Sequence, residues 1–204
     1  MTAAQVQPGS AIPVSLTAAE PQAQHNSTST NTSTGGQPGS LTDWANKVAA
    51  ATGIPEPAVW GYGNAELAMR TEQPACQLSW ATLAGIGRVE SDHGQFGGAH
   101  LLPNGEESKP VIGIPLDGTG GNRAIPDTDH GALDGDPVYD HAVGPMQFLP
   151  STWVEYASAA DASAGNGKAD PENINDAAIT AARYLCVGGR DMGTASGWWS
   201  GLLS

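Results

Sequence analysis

The stretch WATLAGIGRVESDHG, residues 80–94, predicts a buried helix that ends on a carboxylic acid and around which the rest of the domain is expected to pack. Leu83, Ile86 and Glu90 fall at positions i, i+3 and i+7, so the acid continues the apolar face, and Gly94 is expected to cap the helix. We expect apolar neighbours and the negative end of the helix dipole to raise the pKa of Glu90. A carboxyl group that stays protonated near neutral pH can act as a general acid. The alternative is a glutamate that caps or pairs locally.

Composition excludes several classes of partner. The chain has 204 residues and a formal net charge of −13, with only 8 Lys plus Arg. This charge argues against binding to nucleic acid or to an anionic membrane. The presence of 6 Trp against 2 Phe favours a carbohydrate-binding protein, although core packing is the commoner use of any single Trp. No apolar run is long enough to span a membrane, and no signal peptide is visible.

Two regions differ in composition. Residues 1–40 form a tail rich in Ser, Thr, Pro and Gly, which is expected to be disordered because it offers no apolar surface to bury. Residues 41–204 form one domain that is predicted to be mostly α. Its helices are expected from Thr42 or Asp43 to about 52, from 55 to about 70, from about 77 to Glu90, from 150 to about 160, from 176 to 187, and from near 196.

The segment from 96 to 140 is a long irregular loop rich in Gly, Pro and Asp. A loop of this length inside a domain usually serves a function, and we expect this one to line a cleft next to Glu90. Within it, the stretch DTDHGALDGD places Asp127, Asp129, Asp134 and Asp136 close together, and they could supply oxygens to calcium, but their spacing is not that of an EF-hand and fits turn formation better. Neither a metal site nor a cofactor is predicted, and the histidines lack the spacing of a zinc site.

Two cysteines, Cys76 and Cys186, stand on either side of the central helix. They fit either a disulfide in an exported protein or two buried thiols. Catalysis by a Ser-His-Asp triad is not predicted, because the chain has no nucleophile elbow. The remaining possibility for catalysis is a single protonated glutamate, Glu90, that faces a cleft and acts as a general acid.

Several motifs occur in one order along the chain. ESDHG at 90–94 is followed by DTDHGALDGDP, by AVGPMQFLPSTW at 142–153, by DPENINDAA and by AARYLC. In this combination the chain resembles the lytic transglycosylases, most closely the B-type (MltB-like) branch in its actinobacterial form. The resemblance covers roughly residues 41–204.

The resemblance implies a lysozyme-like, mostly α fold with an SLT-type domain. It also implies cleavage of the β-1,4 bond between N-acetylmuramic acid and N-acetylglucosamine in peptidoglycan. The residue at the family's acid position is Glu90, which would protonate the glycosidic oxygen and then act as the base that closes a 1,6-anhydro ring. The partners implied are peptidoglycan glycan strands, and the location implied is secreted or cell-wall associated, with no cofactor.

The same resemblance implies roles for further residues. Ser91 and Gln147 match positions that line the sugar cleft, Met146 and Phe148 flank it, and Tyr139 is a further candidate for sugar contact. Gln147 could instead be a buried structural amide, and Met146 and Phe148 could belong to the core. Cys76 and Cys186 match positions that are expected to pair.

Departures from the family pattern leave other readings open. The chain ends at GWWSGLLS, short of a Tyr-Asn motif that members usually carry near the active site, and His141 stands where arginine is expected. One alternative is a muramidase that delivers water, with Asp127 or Asp129 as its second carboxylate. Another is a non-catalytic peptidoglycan-binding protein that keeps the fold. The missing Tyr-Asn motif is the departure that favours the non-catalytic alternative.

Overall fold

A computed structural model describes residues 40–158 and 167–203. The predicted tail, residues 1–40, lies outside this range except for Ser40. The described residues form six α-helices and no named strand, which confirms the mostly α prediction. The helices are α1 (Leu41–Thr52), α2 (Glu56–Glu72), α3 (Trp80–Ser91), α4 (Pro150–Tyr156), α5 (Ile174–Leu185) and α6 (Ala195–Leu202).

The ends of several helices differ from the prediction: α4 ends at Tyr156 rather than near 160, and α5 spans Ile174–Leu185 rather than 176–187. Ser40 caps α1, because its hydroxyl accepts a hydrogen bond from Asp43 N while the Asp43 carboxylate accepts one from Ser40 N. Helix α3 begins after Ser79 and ends at Ser91, and the residue that caps it is Asp92, which takes the left-handed conformation with φ 55°. The cap predicted at Gly94 is therefore two residues too late, because an aspartate tolerates this conformation better than most residues.

Helix α2 lies at the centre of the domain and packs against α1, α3 and α5. Its buried side chains include Ala58, Tyr62, Ala65 and Met69, which face the main core. The small residues let neighbouring helices approach closely, and the large ones fill the space between them. A smaller cluster around Trp44 packs α1 onto the other side of α2.

The irregular segment from 96 to 149 is held by isolated bridges. Ile112 pairs with Val143, and Val143 pairs with Phe148 to form a tight turn. Gly113 N donates to Ala142 O at 2.8 Å, and Gly144 N donates to Val111 O at 2.9 Å. The loop thus braces the turn over residues 143–148, and it is this turn that approaches Glu90.

A disulfide joins Cys76 to Cys186, with their Cα atoms 5.6 Å apart. The predicted pairing is therefore confirmed. It links the segment before α3 to the residue that ends α5. None of the helices in the described ranges is both long enough and apolar enough to span a membrane.

Candidate active site

Glu90 lies between two cavities. The first, of about 290 Å³, is bounded by α3, the 143–148 turn, α4, α5 and α6. The second, of about 390 Å³, lies between α3 and α6. Ile86, Glu90 and Leu202 line both of them. Ile86 and Glu90 therefore share one surface, as predicted, whereas Leu83, the first residue of the predicted face, is buried and lines neither cavity.

Burial raises the pKa of Glu90 above its ordinary value. The residue remains accessible to solvent, as a group that meets a substrate must, yet the protein around it removes part of its hydration. The direction of the predicted shift is confirmed, and burial is its cause. A larger fraction of this carboxyl group is thus protonated at a given pH than in a fully solvated glutamate.

The 143–148 turn brings two hydrophobic side chains to the first cavity. Met146 and Phe148 are largely buried and line it beside Glu90. The Phe148 ring also meets the Trp153 ring edge to face, with centroids 5.3 Å apart. Both residues therefore belong to the core and also form the cavity wall, while contact with a sugar stays a prediction.

Gln147 lines the same cavity from a left-handed backbone, with φ 49°. Its side-chain Nε2 donates to Gly144 O at 2.9 Å and to Val111 O at 3.1 Å. These two carbonyl oxygens fix the amide orientation, because neither can donate a hydrogen bond. Oε1 is then the atom that Gln147 can offer to a donor on a ligand.

Ser91 lies behind the cavity rather than in its lining. It is buried, and its hydroxyl donates to Pro145 O at 2.6 Å and accepts from Gly94 N at 2.7 Å. The end of the Glu90 helix is thereby tied to the turn that carries Gln147. Contact between Ser91 and a sugar stays a prediction, while its place in the fold is that of a link between the two motifs.

Tyr62 supports the last turn of α3 from α2. Its hydroxyl lies 3.1 Å from His93 Nδ1 in the buried core, and a Cβ atom at Gly87 would come within 2.0 Å of that hydroxyl. Burial, followed by the charge of Arg88, lowers the pKa of His93, which favours the neutral ring. A neutral ring can hold one hydrogen bond with Tyr62 in a single tautomer, so the residues after Glu90 are held in place.

A second carboxyl group lies beneath this region. Both oxygens of Glu107 are buried without a hydrogen-bond partner among the described residues, and the Cβ of a residue at position 94 would meet Oε1 at 2.1 Å. Burial, followed by the like charge of Glu172, raises the pKa of Glu107 to about 8. Glu172 is itself tied to the loop, since its Oε2 accepts from Val111 N at 3.0 Å. In the folded state, the Glu107 carboxyl group is therefore mostly protonated and uncharged at pH 7.

We expect Glu107→Gln to remove a pH dependence of stability. In the unfolded chain the carboxyl ionises near the ordinary glutamate pKa of 4.5, while the folded state keeps the proton up to about 8. The stability that the protonated group contributes is therefore complete below pH 4.5 and is lost as pH rises to about 8. Relative to wild type, Glu107→Gln should gain roughly 5 °C in Tm between about pH 4.5 and about pH 8.5.

Thermal melts across this pH range measure the effect, with Glu106→Gln as the control on the adjacent residue. A Glu107→Gln curve that stays parallel to that of the wild type would contradict the buried, protonated state.

Gly144 is predicted to tolerate no side chain. Its φ is 75°, and a Cβ atom would lie 1.9 Å from Pro171 O, a backbone atom. Gly135 also has positive φ, 84°, but open space around it. We expect Gly135→Ala to cost about 1–2 kcal/mol from the backbone conformation alone. Gly144→Ala should cost about 3 kcal/mol, because the 143–148 turn must also shift. Urea denaturation of the two variants measures the difference, and equal losses would show that the close approach is not needed.

The remaining predicted residues lie away from Glu90. The Asp127 carboxylate accepts hydrogen bonds from the backbone N–H groups of Asp129, His130 and Gly131, which forms a turn. Asp127, Asp129 and Asp140 place one oxygen each within 4.8 Å of one another, and each carboxylate also accepts hydrogen bonds from the loop.

Tyr139 pairs with Pro126 through its backbone, outside the lining of both cavities. Nδ1 of His141 donates to Gly113 O at 2.8 Å, and its Nε2 lies 3.2 Å from Asp136 Oδ2.

The structure also corrects the role of the long loop. No residue between 96 and 140 lines either cavity at Glu90 in the described part of the chain. Part of the loop supports the wall instead, because Val111 O accepts from Gly144 N and from Gln147 Nε2 in the 143–148 turn. Two residues that sequence reasoning missed do line the cavities, Tyr184 in the first and Trp198 in the second. Tyr184 lies in the last turn of α5 and Trp198 in the middle of α6, and an aromatic side chain in a predicted helix is the signal that could have pointed to each of them.

The fold thus brings Glu90 into one cavity with Met146, Gln147 and Phe148. The two motifs that contain these residues, ESDHG and AVGPMQFLPSTW, lie some 50 residues apart in the sequence. Ser91 joins them as a support, and Tyr139 does not. Comparisons of the chain with protein-family models, with curated proteins and with solved structures find no match.

Proposed function

We propose that this protein is a peptidoglycan lytic transglycosylase that uses Glu90 as its single acid and base. The observation that carries the proposal is the isolation of this carboxyl group. Among the described residues, Glu90 is the only acid that lines either of the two cavities. A retaining hydrolase commonly places a second carboxyl about 5 Å from the first, and an inverting one about 6.5–9.5 Å away.

The candidates for that second carboxylate are otherwise engaged. The carboxylates of Asp127 and Asp129 accept backbone hydrogen bonds that shape their own loop. This favours a reaction in which the nucleophile comes from the substrate, as in the ring closure that the family resemblance implies.

The reaction then needs one group that changes role. The Glu90 carboxyl gives its proton to the glycosidic oxygen as the bond to the muramyl C1 breaks. The carboxylate next removes the proton from the muramyl 6-hydroxyl, and that oxygen forms the new bond to C1. The proton returns to Glu90, and no water is consumed. A raised pKa favours the first step, because it keeps the proton on Glu90 until the sugar is bound.

Two cavities that meet at Glu90 suit a polymer, because a glycan strand must be held on both sides of the bond that breaks. Oε1 of Gln147 can accept from the N–H of an acetamido group on one side. Trp198, with Ile86 and Leu202, offers an apolar surface on the other side, which fits the C–H face of a sugar ring.

The test is product analysis after incubation of purified sacculi with the protein in ¹⁸O-labelled water. The proposal predicts muropeptides lighter by one water than their hydrolysed counterparts, without ¹⁸O at the new end. Reducing ends that carry ¹⁸O would identify a muramidase instead. Sacculus binding without any soluble product would leave a non-catalytic binding protein.

A further inference from the structure

A third cavity, here called the Trp60 pocket, lies apart from Glu90. It has a volume of about 340 Å³ and shares no lining residue with the two cavities at Glu90. Its wall comes from the first turns of α1, α2 and α5 and from the loop before residue 105. The lining residues are Thr42, Glu56, Pro57, Trp60, Pro103, Asn104 and Asn175.

Hydrogen bonds to the start of α5 hold the loop side of the Trp60 pocket in place. The carbonyl oxygen of Asn104 accepts from both Asn173 Nδ2 and Asn175 Nδ2, each at 3.3 Å. Gly105 O accepts from Ile174 N at 2.8 Å, so the loop is pinned to the start of α5. A wall that is already ordered loses little entropy when a ligand binds.

The Trp60 pocket offers a ligand one aromatic ring together with polar side chains, among them a carboxylate and an amide. Oδ1 of Asn104 accepts from Glu106 N at 3.2 Å, which leaves the Nδ2 group as a donor. Glu56 supplies carboxylate oxygens at the first residue of α2, and Thr42 supplies a hydroxyl. Trp60 is partly buried against the Trp44 cluster and partly open to the pocket.

This combination selects the class of ligand. The only charged residue in the lining is an acid, and the chain carries a net charge of −13, so anionic ligands are disfavoured. An aromatic ring takes the apolar face of a pyranose, while a carboxylate and an amide bind neighbouring hydroxyl and acetamido groups. We propose that the Trp60 pocket is a second, non-catalytic binding site for β-1,4-linked N-acetylhexosamine. It would hold the glycan at a place distinct from the bond that is cut, and its existence does not depend on the proposed reaction.

The experiment is a titration of the full chain with tetra-N-acetylchitotetraose, followed by ¹H–¹⁵N spectra of the tryptophan indoles. The Glu90→Gln variant is used so that no sugar is cleaved during the titration. The Trp60 indole reports on the pocket, and the Trp198 indole reports on the cavity at Glu90. We expect the Trp60 signal to shift and saturate on its own.

Two variants keep the reporter in place. Glu56→Gln and Asn104→Ala should each weaken the response at Trp60 by about tenfold, because the first replaces a charged acceptor by a neutral amide and the second removes a side-chain amide from the pocket wall. Neither should alter the response at Trp198. Thr71→Ala, an exposed change near the other end of α2, is the control and should leave both responses unchanged.

Shifts at Trp198 without any at Trp60 would overturn the second site and leave the proposed active site intact. A Trp60 response that survives both variants would overturn the assignment of the lining. Absence of any shift would reject N-acetylhexosamine as the ligand, whereas the sacculus assay decides the reaction independently.

Discussion

Glu90→Gln should remove product formation from sacculi almost completely. The amide keeps the size of the side chain but has no proton to give to the glycosidic oxygen and cannot act as a base afterwards. General acid and base catalysis together contribute roughly 10²- to 10⁴-fold in each proton transfer, so a loss of at least about 10³-fold is expected. The rate of release of soluble muropeptides, quantified by mass spectrometry, measures it.

The control is Glu155→Gln, an exposed glutamate on α4 that lies outside both cavities. It should retain wild-type activity. Glu90→Gln should also bind sacculi as tightly as the wild type, because the change leaves the cavity walls in place. Activity within tenfold of the wild type would move the catalytic role to another residue, and loss of binding as well would indicate a damaged cleft.

The helices and the face of α3 could be predicted because the information for them is local. The apolar spacing that ends on Glu90 sets its orientation, and the helix turns it toward the cleft whatever else packs nearby. The 143–148 turn was also recognisable, since a short motif brings Met146, Gln147 and Phe148 into one place. In the structure, the end of α3 and the 143–148 turn lie next to each other.

What could not be predicted depends on contacts between distant parts of the chain. The hydroxyl of Ser91 is directed at Pro145 O, and only the folded structure reveals that this bond is available. The same holds for Glu107, which is an ordinary acid in the sequence and becomes a buried one through packing against the region of Gly94. The long loop is expected in the cleft from its sequence, but it contacts the 143–148 turn from behind, through Val111 O and Ile112.

Loss of the Cys76–Cys186 disulfide should give the largest change in stability. The bridge closes a loop with a sequence separation of 110 residues, and a loop of about 100 residues corresponds to about 4.7 kcal/mol in the chain-entropy model. We expect Cys76→Ala combined with Cys186→Ala to lower Tm on the order of 10 °C. Thermal melts with and without a reducing agent measure this effect.

The chain has 2 cysteines, so a reducing agent has no other target. Reduced wild-type protein should therefore melt close to the double variant, and reducing agent should leave the variant unchanged. A variant that melts like the oxidised wild type would show that the bridge does not restrict the unfolded chain.

The same experiment separates stability from the geometry of the cleft. Met192 N donates to Cys76 O at 2.6 Å, and Gln77 Nε2 donates to Asp191 Oδ1 at 3.0 Å. These bonds hold the two segments together in the folded state without help from the sulfur atoms. Because the disulfide acts mainly on the unfolded chain, the double variant should release muropeptides at about 20 °C within about twofold of the wild-type rate. A large loss of activity at a temperature where the variant is still folded would instead mean that the bridge positions α3, and with it Glu90.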